Sequence, residues 1–292
     1  MRVAILADIH SNLPALEAVL ADLKQQSPDA VYLAGDQINR CPWNNEVLDL
    51  LATLGWPAIQ GNHELVVGAI NTPANRPPFT NRERFIDLWW TQEQLRPEHL
   101  TAIRQLPTEM RLAFDNAPAI RLLHGIPGNP FIGVLAETRD EALRDMLAPV
   151  AESIMICAHT HRPLARQVGR WQIYNGGSIG APYNGDPRAQ YLLLDTANGQ
   201  WQPTFRQVDY DRSGIPVAFR ESGLLAATGA LGELHLRTIQ DGQPWSSDFA
   251  FWMRSQSAEL HNDLHRAIAL YLTLHGPGHW AFTNTVDRET GR

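Results

Sequence analysis

The chain has 292 residues, 44% of them hydrophobic and 19% charged, with a formal net charge of −7. Such a composition suits an ordinary globular protein with one large α/β core and an appendage, and it excludes collagen-like or low-complexity chains. The negative balance disfavours general binding to nucleic-acid backbone or to an anionic membrane, while a local group of cations still suits one phosphate. MRVAILADIH turns polar after too few apolar residues for a leader h-region or a membrane span, so the expected location is the cytoplasm. Cys41 and Cys157 are the whole cysteine complement, which excludes a disulfide framework and leaves two expected free thiols.

Residues 2–7 read as a first strand. A helix follows from Leu13, capped by Ser11 or Asn12, with Pro14 in its first turn and Leu13, Leu16, Val19, Leu20 and Leu23 on one face. A second strand (30–34), a helix over NEVLDLLATL and a third strand (56–60) continue a βαβ pattern. Residues 71–78, rich in Pro and Asn, predict a loop, and 81–105 predict a helical segment bearing tryptophans. Residues 110–114 and 119–124 are expected to be adjacent strands, and 153–159 is another apolar run. The pairs Asn175-Gly176, Asn184-Gly185 and Asn198-Gly199 mark turns among strands such as QYLLLD and WQPTFRQV. Helical periodicity returns near Asp211, with a long helix expected over 247–272, so the core is assigned to 1–212 and a helical extension to 213–292.

Five predicted strand ends carry metal-ligand types: Asp8-Ile9-His10, Gly35-Asp36, Gly61-Asn62-His63-Glu64, His124-Gly125 and His159-Thr160-His161. Carboxyl ends of strands in open α/β sheets converge on a ligand crevice, so residues distant in sequence meet there. Alternation along an ending strand is expected to send both members of DxH, and of HTH, to one side. Two aspartates, one asparagine and four histidines, leaving His63 aside, are too many for one tetrahedral zinc and suit two ions sharing a carboxylate. Each residue alone has a plainer explanation, as a helix cap, a turn residue or a core histidine. Jointly they leave too many histidines at strand ends unexplained.

The motif order DxH, GDxxDR, GNHE, an isolated His and HTH resembles the calcineurin-like metallophosphoesterases. The segments LADIHSNLPALEAVLADL, LAGDQINRCPWNNEVLDLL, IQGNHE, LLHG, CAHTHRP and YNGGSIGAPYNGDPRAQYLLLD are similar to the bacterial phosphodiesterase branch, over residues 1 to 210. The resemblance implies a four-layer α/β/β/α sandwich with the helical extension added. It implies that Asp8, His10, Asp36 and His161 hold one metal, and that Asp36 bridges to a second held by Asn62, His124 and His159. Manganese, iron, zinc and nickel all accept such ligands. The implied activity is phosphodiester hydrolysis by in-line attack of a metal-bridging hydroxide, with two ions about 3.5–4 Å apart. His63 is the implied general acid. Asn12 and Arg40 are expected to contact phosphate. The family's second aspartate, which orients the acid histidine, is Asn39 here in GDQINR. Asn39 is expected to accept a hydrogen bond from His63 without adding charge, favouring good leaving groups.

A phosphomonoesterase or nucleotide pyrophosphatase fits the same motifs, and a non-catalytic scaffold is the alternative from another class, disfavoured by the intact GNHE. The expected partner is a small phosphoester, with substrate choice set by loops 71–80 and 125–135. The extension offers either a cover for the core or a homodimer contact. His261 and His265, at helical spacing, resemble a zinc pair, but Asn262 stands where HExxH needs Glu, so a helix face is the better reading. His99, His235, His275 and His279 stand in no comparable context, and the tryptophans at 89, 90, 245, 252 and 280 are expected to pack the extension against the core.

Overall fold

The computed structural model describes residues 1–115 and 117–281; the last part of the expected extension, residues 282–292, lies outside them. In chain order the elements are β1 (Arg2–Leu6), α1 (Leu13–Gln26), β2 (Ala30–Leu33), α2 (Asn44–Leu54), α3 (Asn62–Ala69), α4 (Ile86–Gln94), α5 (Pro97–Gln105), β3 (Glu109–Phe114), β4 (Ala117–Leu123), α6 (Asp140–Leu147) and β5 (Ile154–Cys157). Then come β6 (Leu164–Val168), β7 (Trp171–Asn175), β8 (Ala189–Ala197), β9 (Gln200–Val208), α7 (Ile215–Glu221), α8 (Leu224–Thr228), α9 (Ala230–Asp241), α10 (Trp245–Met253), α11 (Ala258–His261) and α12 (Leu264–Leu274).

Two sheets form the centre, ordered β2-β1-β8-β9 and β3-β4-β5-β7-β6. β1 and β2 run parallel, as do β4, β5 and β7, so their carboxyl ends share one edge of each sheet. Alternation along β1 explains why the sheets stack. Val3 and Ile5 join Leu192, Leu194, Ile120, Ile154 and Ile156 between the sheets, whereas Ala4 and Leu6 face Leu16, Val19 and Leu23 of α1. Helix α6 covers the far side of the second sheet through Leu143 and Leu147. The result is the expected α/β/β/α layering. Asn12 is the cap of α1, its side-chain oxygen accepting from Ala15 N at 3.3 Å.

Ile215, Phe219, Leu224 and Ile239 of the C-terminal helices join the α1 side of the core. Trp245, Trp252 and Trp280 build a separate cluster with Phe249, Ile268 and Tyr271, so these tryptophans mainly join the C-terminal helices to one another. Trp90 sits in the main core instead.

Two expectations need correction. Residues 56–60 are not a full strand: they meet β2 through one bridge, Leu33 to Ala58, because Pro57 has no N–H to donate to a ladder. The long helix over 247–272 is three short ones, since Ser257 and Asp263 each cap a new helix, accepting from Leu260 N and Arg266 N. His261 and His265 therefore lie on different helices. His261 is engaged by Arg84 and by the carbonyl of Met253. Cys41 and Cys157 are buried free thiols, and no described helix is long and apolar enough to cross a membrane.

Candidate metal centre

The carboxyl ends of β1, β2, β4 and β5 and the start of α3 deliver their polar residues to one place. Backbone hydrogen bonds knit the loops together: Asp8 N to Gly35 O, His10 N to Asp36 O, Ser11 N to Gln37 O and Gly180 N to Asp8 O, all at 2.9–3.1 Å. Alternation does not explain the convergence of DxH and HTH. Asp8 (φ 53°), His10 (49°), Asp36 (53°), His159 (66°) and His161 (55°) are all left-handed, a conformation costing non-glycine residues about 1–2 kcal/mol each. The chain coils rather than extends after each strand, and the surrounding hydrogen bonds hold it so.

Asp8, His10, Asp36 and His161 form one group whose ligand atoms lie within 4.8 Å of one another, and Asp36, His124 and His159 form a second. Asp36 belongs to both. Its Oδ2 lies 3.2 Å from His124 Nε2 and 3.8 Å from His10 Nε2, while Oδ1 accepts from His63 N at 2.9 Å. Asn62 Oδ1 completes the second group, 3.1 Å from His124 Nε2 and 2.8 Å from His159 Nδ1. All seven expected ligand residues are thus brought together.

The rings are held from behind. His10 Nδ1 faces Ile38 O at 3.2 Å, His124 Nδ1 faces Ala34 O at 2.8 Å, and His161 Nδ1 faces Ala181 O. A carbonyl at Nδ1 fixes the hydrogen there and turns the Nε2 lone pair into the site, the arrangement that suits metal ligation. Tyr183 stacks on His161 at 4.1 Å and 11°. Both carboxylate oxygens of Asp8 are buried without a hydrogen-bond partner. A fully buried carboxylate without hydrogen bonds costs several kcal/mol unless a cation meets it. The donor set therefore fits bound metal.

Burial and mutual charge shift the titratable groups of the site in different directions. Burial, reinforced by Asp36, holds Asp8 well above the usual carboxylate range. Burial also acts to raise Asp36, but the surrounding histidines, His124 first, outweigh it and hold Asp36 well below that range. Burial and the nearby Arg40 push His10 and His161 well below the ordinary imidazole value. His159 is likewise lowered, to about 3, by burial. His124 is the exception: burial lowers it, yet the Asp36 and Asp8 carboxylates push it up to about 10.

Around the ligands, several placements were not read from sequence. Glu64, fully buried, accepts backbone N–H groups from Asp36, Gln37, Ile38 and Gly61. Its place at the third position of α3, where a carboxylate caps a helix, was the available signal. Arg40 is held outside the ligand groups by Ser246 Oγ at 2.9 Å, from α10, and lies over the Tyr183 ring at 5.6 Å. Asn12, expected to contact phosphate, is engaged at both ends of its amide: the nitrogen donates to Gly180 O and Tyr210 OH while the oxygen caps α1.

The expected hydrogen bond at Asn39 is also reversed. Asn39 Oδ1 accepts from Thr91 Oγ1 at 2.7 Å, and its Nδ2 faces both Asp87 Oδ2 (3.1 Å) and His63 Nδ1 (2.9 Å). Asn39 therefore donates to the ring rather than accepting from it. Asp87 also meets His235 Nε2 at 3.2 Å, so His235, without context in the sequence, is buried 148 residues away in the chain against this network.

Residues 1–199 match the model of the calcineurin-like phosphoesterase superfamily domain. An uncharacterized protein of Methanocaldococcus jannaschii is 25% identical over 227 residues, covering 72% of this chain and 88% of that protein. A metallophosphoesterase from Sphaerobacter thermophilus is 26% identical with a TM-score of 0.65, covering 83% of this chain and all of that one. A hypothetical protein from Pyrococcus horikoshii shares the fold at 23% identity and a TM-score of 0.70, covering 82% of this chain and 98% of that one. With the family model spanning more than half of the sequence, the chain belongs to the calcineurin-like phosphoesterase superfamily.

Proposed function

We propose that the protein is a dinuclear metal-dependent phosphoesterase acting on phosphodiesters. The observation that carries this reading is Asp36, shared between two groups of ligands beside the unpartnered Asp8 carboxylate. Asp8, His10, Asp36 and His161 would hold one ion, and Asp36, Asn62, His124 and His159 the other. Bound there, two such ions, manganese, iron, zinc or nickel among the fitting ones, would neutralise phosphoryl charge and acidify water.

The chain's own residues supply the rest. Asn62 and His159 are half-buried, and with Arg40 they mark the approach to the otherwise buried ligands. Arg40, positioned by Ser246, offers a guanidinium to a phosphoryl oxygen. His63 Nε2 lies 3.8 Å from Asp36 Oδ2 and faces the same space, placing a ring hydrogen beside the departing oxygen. The loop 125–135 borders His159 through Gly133, and Phe131 of that loop stacks on Phe79 at 5.7 Å, so the two loops expected to select substrate form one wall.

Hydrolysis of a phosphoester panel by Mn²⁺-loaded protein, with metal content measured, tests the reading. Turnover of diesters above monoesters and anhydrides is expected, with loss of both metal and activity in Asp36→Asn. Full metal occupancy without turnover on any ester would overturn it in favour of a scaffold.

A further inference from the structure

The orientation of Asn39 has a chemical consequence for His63, one that rests on the reading just given and deepens it. A carboxylate accepts hydrogen bonds and does not donate them, so the Asn39 end facing Asp87 Oδ2 must be the amide nitrogen. Thr91 Oγ1, one helical turn further along α4, donates to the opposite end, Oδ1. His235 of α9 holds Asp87 from the other side. With both ends engaged, the same nitrogen of Asn39 points its second hydrogen at His63 Nδ1, 2.9 Å away. A hydrogen on Nδ1 would meet another N–H head-on, so Nδ1 must present its lone pair and the ring carries its one hydrogen on Nε2, toward Asp36 and the reacting space.

We infer that Asp87, Thr91 and His235 are positioning residues that lock Asn39 as a donor to His63, making His63 a hydrogen-bond donor from Nε2 and directing the enzyme to substrates whose leaving oxygen departs without a proton. A ring with one hydrogen would become imidazolate by giving it up. It therefore stabilises the departing oxyanion through Nε2–H while keeping its proton. When the P–O bond breaks, the electron pair stays on the leaving oxygen, which is protonated later by water. Aryl oxides tolerate this because phenols are far stronger acids than alcohols, whereas an alkoxide from a sugar or glycerol does not. The substrate class is thus an aryl-like phosphodiester.

The C-terminal helices enter the chemistry through this network. His235 reaches residue 39 through Asp87, and Ser246 reaches residue 40 directly. In the loop where the family motif is altered, Arg40 is thus held directly, and Asn39 through Asp87, from outside the segment that matches the family model.

Two measurements test the inference on the full chain. In Zn²⁺-loaded protein labelled with ¹⁵N-histidine, long-range ¹H–¹⁵N spectra report which His63 nitrogen carries hydrogen, with the signal assigned by its loss in His63→Gln. Hydrogen on Nε2 alone is expected; hydrogen on Nδ1, alone or with Nε2, overturns the inference whether or not any ester is cleaved. The second measurement exchanges the two side chains, combining Asn39→Asp with Asp87→Asn, which conserves size and total charge and puts the carboxylate against the ring. Over a series of phosphodiesters, the rate with alkyl leaving groups relative to aryl ones should rise at least about a hundredfold, the lower range of what proton donation contributes. An unchanged ratio in a folded, metal-loaded exchange variant would also overturn it. If that variant does not fold, the ring measurement on the wild-type protein decides. Absence of turnover by metal-loaded wild type would instead refute the phosphoesterase reading and leave the ring assignment standing.

Discussion

Glu64 accepts the backbone N–H of Asp36 at 2.9 Å, and the same carboxylate takes N–H groups from Gln37 at 2.7 Å and Gly61 at 2.7 Å. One buried side chain thereby fixes the loop after β2 to the start of α3, the two segments that bring Asp36 and Asn62 together. In Glu64→Gln an NH2 group would face backbone donors, leaving at least one N–H unsatisfied. A loss of about 2–4 kcal/mol in urea unfolding is expected, with reduced bound metal. Stability and metal content equal to wild type would mean the loops are held without it.

Gly61 is required because Asp36 approaches it so closely. A Cβ there would lie 2.0 Å from Asp36 Oδ1 and 2.5 Å from Asp36 N, closer than any side chain tolerates. Gly61→Ala should push the Asp36 carboxylate aside, costing about 1–3 kcal/mol and lowering metal stoichiometry at both ligand groups together. Elemental analysis of the purified variant checks this. Loss at one group only would argue against a shared Asp36.

Asp8 separates the effect of charge from the effect of metal. In chelated protein its carboxylate is buried without a hydrogen bond, so Asp8→Asn should leave the metal-free stability unchanged or raise it. In wild type, added Mn²⁺ at about 100 times its dissociation constant should stabilise by about 2.7 kcal/mol through binding to the folded state alone. The variant should lose most of that gain. Thermal unfolding with and without chelator reads both, and an undiminished Mn²⁺ effect in Asp8→Asn would remove Asp8 from the ligand set.

A pH dependence is expected away from the site, where α1 is fastened to the sheet. Asp22 accepts from Tyr191 OH at 2.5 Å and from Arg206 Nη2 at 2.7 Å. Burial acts to raise its pKa, but Arg206 and Tyr191 together outweigh it and hold the carboxyl below its ordinary value. A depressed folded pKa means the carboxylate contributes stability above the unfolded value, and that this contribution is lost as pH falls through the folded one. Asp22→Asn should therefore be destabilised relative to wild type above about pH 5, with the gap closing toward lower pH. Denaturant unfolding at several pH values checks the sign.

Much of the architecture was legible because apolar runs end at polar residues. β1, β2, β4 and β5 are short buried strands, and each stops where metal-ligand types begin. The misreadings arose where local pattern and tertiary context differ. Residues 56–60 have strand composition, yet Pro57 allows only a bridge to β2. Residues 247–272 have helical periodicity, yet Ser257 and Asp263 offer the backbone caps that restart the helix. The DxH and HTH spacings suggested alternation, while the backbone is left-handed at all four of their ligands.

By itself, the sequence determined the two-sheet fold, the family and the seven residues gathered at the strand ends, because each is carried by short-range pattern: apolar periodicity, glycine at sharp turns, and ligand types at fixed spacing. Only the tertiary structure decided what surrounds them. Which end of Asn39 faces His63 depends on Thr91 and Asp87, about fifty residues away, and His235 and Ser246 come from helices beyond the family segment. An amide can donate or accept with equal ease, and its direction is set by whatever holds its other end. That information lies in packing, so no local stretch around GDQINR contains it.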